Sequence, residues 1–456
     1  MRIFRISIKI VISVVVVLLL VLFIVVAVLR KSAVPVYNDE KEIAGLRAGS
    51  RVIWDERGVP HIYTLNQHDL YFLTGYISAQ ERLWQMDLIR RATQGRLSEI
   101  FGRNYVQTDL FMRSLNIHEK SKRLVVRADP EILSAMQAYA DGVNIWLEEK
   151  GRHLPMEFRI LRYRPEPWTL EDIYDIIGYM GWDLAAGNLL EELRCYRLGK
   201  KLGTDKAKDI MPDWNIVDEV VFPGFELNDS EISRSMSFIA SMDKLEELGI
   251  VSLSGSNNWA VSGQRSNTGS AILSNDMHLG FGAPGIWIQM HQVVQGGLNV
   301  TGVMIPGEPF IIGGHNEQIA WGTTNMGVDD IDLYVEKRDS SGRYLFNGKW
   351  LPLQSREEII KIKGEKPDTF KIYSTHHGPV ISEMKDIKDA PLAMRWSGFD
   401  DSDEMMAVYL LNRAGCWDEF RYAISFFRSI SQNFAYADIR GNIGMNTGGG
   451  IPLRKG

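Results

Sequence analysis

An α+β fold, with sheets covered by helices and an apolar helix in front of them, follows from three features of this 456-residue chain. Apolar residues recur at helical spacing through much of the first half. They alternate at period two between Gly-rich turns in the second half, and an uncharged apolar run fills Ile10 to Leu29. A content of 45% hydrophobic, 10% aromatic and 24% charged residues is that of a globular protein able to bury a large core. With a formal net charge of −6 and no basic, aromatic-interleaved stripe, nucleic acid is not an expected partner.

Residues 1–35 read as a membrane segment. The run Ile10–Leu29, interrupted only by Ser13, reaches about 30 Å as a helix, enough to cross a hydrocarbon core. A cleaved signal peptide is the alternative, but its apolar part is usually ~7–15 residues before a small-x-small site, whereas this run meets Arg30-Lys31. The expectation is an uncleaved anchor with its N-terminus inside and an exported body.

Residues 36–228 read as a helical region opened by a strand-like stretch, Val52 to Ile62, with a Gly/Pro turn inside it. A helix is expected from Asp69 to Phe101, broken by Gly75 and Gly95 and stopped at Gly102. Pro165 and Pro167 predict a rigid extended connection, and Thr169 an N-cap for a helix that runs from Leu170 to about Leu202. That helix carries Glu191-Glu192, which in isolation is an ordinary solvated face. Residues 229–255, rich in serine and lacking periodicity, form a spacer that is either trimmed or retained as a linker. Cys195 and Cys416 are expected as buried small apolar residues, a single disulfide remaining the alternative.

In the second half, Gly255-Ser256-Asn257-Asn258-Trp259 is turn chemistry leading into a strand, or a place where the backbone is cut. A serine hydroxyl needs a base, and a free α-amino group on the same residue, with an ordinary pKa of roughly 7.7–8.0, is a base within reach. Asp329-Asp330-Ile331-Asp332 offers hard oxygen ligands without an EF-hand glycine or closing glutamate. His315 and the pair His376-His377 lack zinc-like spacing to further ligands and read as turn residues. No Gly-x-Ser-x-Gly elbow is present, which disfavours an α/β-hydrolase.

Several separated blocks then agree in order and spacing. They are Ser256-Asn-Asn-Trp-Ala-Val-Ser-Gly, Ser274-Asn-Asp-Met-His-Leu, Pro306-Gly307, Gly314-His-Asn, Ile319-Ala-Trp-Gly-Thr-Thr-Asn and Asp329-Asp-Ile-Asp332. Together they resemble the start of the β-subunit of the penicillin acylase family, N-terminal-nucleophile (Ntn) hydrolases that cleave amides. Gly75-Tyr-Ile-Ser-Ala-Gln-Glu-Arg-Leu-Trp-Gln-Met86 with Arg90-Arg91, and Tyr163-Arg-Pro-Glu-Pro-Trp-Thr169, resemble the family's α-subunit.

The resemblance implies a four-layer αββα sandwich with Ser256 starting a central strand. Gln432-Asn-Phe-Ala-Tyr-Ala-Asp438 through Gly450-Ile-Pro-Leu-Arg454 resembles a further block of the family β-subunit, which continues beyond it, so residues 256–456 would be its N-terminal part, either as a fragment of a longer product or with an incomplete sandwich. Cleavage between Gly255 and Ser256 would release Ser256 as nucleophile and leave two subunits as each other's partners. His278 would orient it, and the Asn325 N–H, or that of Met326, would join the Asn433 side chain in the oxyanion hole. Arg454 would steady the site. A structural calcium would be held by Asp329, the Ile331 carbonyl, Asp332 and Glu192. The function so implied is a self-processing acylase acting on a small-molecule amide such as a penicillin. The alternative is an inactive, membrane-tethered binding protein.

Overall fold

The structure, a computed structural model, describes residues 2–33, 35–151, 153–203, 206, 209, 243–250, 255–280, 282–382 and 391–454. Side chains are left undescribed at both ends of the first helix and at 190, 192–197 and 200. Most of the expected spacer, Cys195 and the Glu192 side chain therefore lie outside the described residues.

The helices in chain order are α1 (Arg2–Ala33), α2 (Gln67–Thr93), α3 (Ser98–Phe101), α4 (Val106–Leu115), α5 (Ile117–Arg127), α6 (Pro130–Lys150), α7 (Met156–Leu161), α8 (Leu170–Leu202), α9 (Asp243–Glu247), α10 (Glu404–Leu411) and α11 (Trp417–Ile424). The α1 segment Lys9–Ala27 is long and apolar enough to cross a membrane and is unburied among the described residues. A signal sequence near the N-terminus meets the same description.

Helix α2 starts where Asn66 accepts the Asp69 N–H at 2.9 Å, while the buried Asp69 carboxylate gathers the N–H groups of Arg47 and Ala48 at 3.0 and 2.9 Å. It runs unbroken through Gly75, contrary to the break expected there. Instead Gly75 lets α2 cross α6 closely: a Cβ on it would lie 2.0 Å from the Tyr139 carbonyl oxygen, and one on Gly142 1.9 Å from that of Phe72. Helix α8 begins as expected, with Thr169 and Asp172 forming a reciprocal capping pair, and reaches Leu202.

The strands are β1 (Arg51–Trp54), β2 (Pro60–Thr64), β3 (Gly255–Val261), β4 (Ile272–His278), β5 (Ile288–Val294), β6 (Asn299–Met304), β7 (Gly313–Asn316), β8 (Ile319–Asn325), β9 (Ile331–Val335), β10 (Arg343–Phe346), β11 (Lys349–Pro352), β12 (Gln354–Ile360), β13 (Asp368–Ser374), β14 (Leu392–Trp396), β15 (Gln432–Asp438) and β16 (Ile443–Gly448). Eight make one sheet in the order β1-β2-β5-β6-β7-β8-β15-β16. Its one parallel pairing, β2 with β5, joins the first half of the chain to the second. The expected helical region thus donates two strands to the sheet of the other half, and one apolar core runs through both.

The remaining strands pair in twos: β3 with β4, β9 with β14, β10 with β11, β12 with β13. Ser256 was expected to start a central strand. Among the described residues β3 instead has β4 as its partner in a two-stranded hairpin packed beside β8, β15 and β16. Trp259, Ile272, Ile443 and Met445 are exposed on this side, so mixed helices and sheets are present without helices over the hairpin among the described residues. Cys416, expected to be buried, is half-buried before α11 and makes no disulfide among the described residues.

Candidate active site

The hairpin reaches the large sheet where that sheet leaves an edge open. Strand β7 pairs with β8 at Ala320 and Trp321, so among the described residues β8 from Gly322 onward has no paired strand on that side. Met326 gives its N–H to the Ser431 carbonyl at 3.1 Å, which makes this pair a hydrogen-bonded one in the β8–β15 register. By alternation, Thr323 and Asn325 turn their peptide groups away from β15 and toward the open edge.

Asn275 of β4 fills that edge. Its amide accepts the Thr323 N–H at 3.0 Å and donates to the Thr323 carbonyl at 2.9 Å, taking the place of a neighbouring strand. Such closeness requires Gly322, where a Cβ would lie 2.6 Å from the Asn275 Cβ. Asn258 of β3 adds longer bonds of 3.4 Å to the Gly322 and Asn433 carbonyls.

Two residues beyond Asn275 on the same strand comes Met277, paired with Ser256. The Ser256 hydroxyl donates to the Gly255 carbonyl oxygen at 2.7 Å. His278 pairs with Gly255 across the hairpin, and a Cβ on Gly255 would stand 3.7 Å from the His278 Nδ1. The other ring nitrogen, Nε2, lies 2.8 Å from Asp276 Oδ2. Sequence reasoning named Ser256, Gly255 and His278, and the fold brings them together.

Asn325 and Ser256 line the same pocket, about 660 Å³ and open to solvent. Its walls are largely apolar: Ile177, Met180 and Leu184 of α8, Val408 of α10, Phe427 and Phe434, with Thr323, Gln432 and Glu404 as polar exceptions. The Asn325 side chain is committed to the Leu184 carbonyl and the Gly327 N–H, both at 3.2 Å, leaving its backbone N–H as the group turned to the edge where the hairpin docks. Met326, the other residue considered for that donor, spends its N–H on the Ser431 carbonyl just before β15. Asn433 lies on β15 opposite Thr324, and its Oδ1 accepts from Thr447 at 3.3 Å. Asn275, Gly322 and the apolar walls were not singled out by sequence reasoning, although Asn275 stands within a quoted block.

Arg454 is placed elsewhere. Its guanidinium lies 2.9 Å from Asp332 Oδ1, 2.9 Å from the Asp329 carbonyl oxygen and 3.0 Å from Asp329 Oδ2. Burial raises the Asp329 carboxyl above its usual range; Arg454 opposes this, and Asp332 and Asp330 add to it. Asp330 is bound inward by Asn188 at 2.9 Å and Ser397 at 3.1 Å. Of the oxygens expected to hold calcium, those of Asp329 and Asp332 bond the Arg454 guanidinium in this structure, and carboxylate and carbonyl oxygens are the donor type the ion takes. Ile331 belongs to β9, opposite Trp396.

His315, expected in a turn, lies exposed within β7, paired with Thr301 and Ala320, and its Nδ1 stands 3.2 Å from the Asn316 carbonyl oxygen. His377 bonds Glu336 at 2.9 Å and stacks on Tyr334, with His376 beside it. Glu336 is a neighbour that sequence spacing did not supply.

The fold is Ntn-hydrolase-like in its mixture of helices and sheets. The chain belongs to the penicillin amidase family, whose family model matches residues 50–456. It is 32% identical over 444 residues to acyl-homoserine lactone acylase QuiP of Pseudomonas aeruginosa, covering 93% of this chain and 52% of that protein. It is 26% identical over 461 residues to penicillin G acylase of Escherichia coli, covering 89% and 54%. The chain thus spans about half the length of these curated relatives. A solved structure of thermostable penicillin G acylase from Alcaligenes faecalis aligns over 41% of this chain and 34% of that one, with 31% identity and a TM-score of 0.38.

Proposed function

We propose that the chain is a self-processing amide hydrolase in which Ser256 becomes an N-terminal nucleophile for an apolar N-acyl compound, such as a penicillin or an acyl-homoserine lactone. The observation that carries this reading is the Ser256 hydroxyl, 2.7 Å from the Gly255 carbonyl oxygen at an apolar pocket. In the first step the Ser256 Oγ attacks the Gly255 carbonyl carbon. The peptide C–N bond breaks as an ester C–O bond forms, and the Ser256 nitrogen takes the proton. Water then hydrolyses the ester, leaving a Gly255 carboxylate and a free Ser256 amine.

That amine, titrating at roughly 7.7–8.0 in the absence of perturbation, accepts the proton of its own hydroxyl as the latter attacks a substrate carbonyl. The edge-facing Asn325 N–H and the Asn433 amide supply the oxyanion donors, which accelerate the reaction when they stand ready before charge develops. His278, against Gly255 and bonded to Asp276, keeps the strand end in position. Water deacylates the enzyme. Export behind an α1 anchor, and a calcium binding where Arg454 now bonds Asp329 and Asp332, belong to the same proposal and take no part in these steps.

Intact mass and N-terminal sequencing of the expressed protein test it. A new terminus at Ser256 and amide hydrolysis are expected in the wild type, with neither in Ser256→Ala. Amide hydrolysis by a chain still continuous from Gly255 to Ser256 would overturn the mechanism.

A further inference from the structure

The two adjacent histidines that sequence spacing leaves without further ligands gain one in the fold. Glu336 follows β9 directly, and His376-His377 lie in the turn that follows β13. One ligand atom from each of Glu336, His376 and His377 lies within 4.8 Å of the other two. None of the three lines the pocket of Ser256.

These donors are held from several sides. Tyr334, His377, His376 and Phe346 form a column of rings whose successive centres are 3.7 Å apart. The backbone N–H groups of His376 and His377 go to the Tyr344 and Thr375 hydroxyls at 3.2 and 3.1 Å, and that of Glu336 to the Pro391 carbonyl at 2.9 Å. Groups fixed in this way lose little freedom when an ion binds.

Charge points the same way. Glu336 is 6% exposed, and its carboxylate is paired with the His377 Nδ1 at 2.9 Å. A buried carboxylate needs a facing positive charge, which a divalent ion supplies in full and a neutral imidazole does not. His376 is exposed, so water reaches the open side of the cluster to complete a coordination shell. Two imidazole nitrogens and one carboxylate oxygen suit zinc and its neighbours, whereas calcium takes oxygen donors. At metal–donor distances of about 2.0–2.2 Å the donors stand roughly 3–4 Å apart, so a small turn of the exposed His376 ring closes the set.

We infer that Glu336, His376 and His377 form a zinc site that ties the turn after β13 to the end of β9. The ion takes the place of the proton that His377 Nδ1 now shares with Glu336 Oε1, and that proton passes to Nε2 of the same ring. The site neither uses nor depends on Ser256.

The test is equilibrium dialysis of the full chain against Zn²⁺ near neutral pH, for the wild type, His376→Ala, Glu336→Gln and His61→Ala. The last is the control, because His61 and His291, with their Nδ1 atoms 2.9 Å apart, are a second place where zinc could gather. The wild type and His61→Ala are expected to hold one equivalent that excess Ca²⁺ does not displace. His376→Ala and Glu336→Gln should hold it at least about tenfold more weakly. Co²⁺ in the wild type should show the visible bands of tetrahedral nitrogen and oxygen coordination, which His376→Ala lacks. Should Glu336→Gln fail to fold, the exposed His376 decides the matter. Equal zinc affinity in the wild type and His376→Ala, no zinc uptake by the wild type, or loss of the equivalent in His61→Ala alone would overturn the inference.

Discussion

Asn275 holds both peptide groups of Thr323 with one side-chain amide, at 3.0 and 2.9 Å, and so closes the edge of β8 where β7 ends. Everything around Ser256 depends on this docking, because Ser256 pairs with Met277 on the same strand as Asn275. Asn275→Ala leaves a part-buried N–H and C=O without partners, a cost of about 1–3 kcal/mol. The expected outcome is a lower urea midpoint and slower cleavage at Ser256 in a pulse-chase. Wild-type rates of cleavage in this variant would mean that the hairpin is held by other contacts.

Arg90 is buried between carboxylates. It bonds Asp87 and, at 3.0 Å, Asp172, and its guanidinium lies 4.8 Å from the Trp168 ring centre. Arg90→Ala leaves buried carboxylates short of their counter-charge and is expected to destabilise the fold by about 3–5 kcal/mol. Chemical denaturation reads this directly. A loss below about 1 kcal/mol would show that Arg91 and Tyr163, which also bond Asp87 at 3.0 and 2.6 Å, suffice.

Glu308 is fully buried, and burial pushes its carboxyl up to about 8 against the hydrogen bonds it accepts from Phe310 and Ile305. In the unfolded chain it titrates near the ordinary 4.5. A raised folded value means that its contribution is complete below pH 4.5 and is lost as the pH climbs toward 8. Glu308→Gln is expected to flatten the decline of the denaturation midpoint across this window. It should also be less stable than the wild type near pH 5, since an amide nitrogen cannot accept one of the two N–H bonds. Parallel pH curves for the two proteins would count against a buried neutral acid.

Arg454 competes with any cation for Asp329 and Asp332. These side chains are partly exposed, so Arg454→Ala is expected to cost no more than about 1 kcal/mol in buffer without calcium. Adding calcium should then raise the melting temperature of Arg454→Ala more than that of the wild type. Equal shifts, or none, would argue that the acidic loop serves the guanidinium alone.

The amino-acid sequence by itself determined what depends on neighbours along the chain. The start of α8 at Thr169, the strand character of Trp259 to Val261, the apolar α1 and the family itself were all legible, because caps, periodicity and block order are local or linear properties. Gly75 shows the limit: read locally it breaks a helix, yet the structure uses it for a close crossing with Tyr139. The partners of Asn275 and Arg454 and the strands that the first half lends to the sheet were decided only in three dimensions. They join residues tens to hundreds of positions apart, and which of many polar or apolar side chains meet is settled by packing the whole core together, which no local pattern encodes.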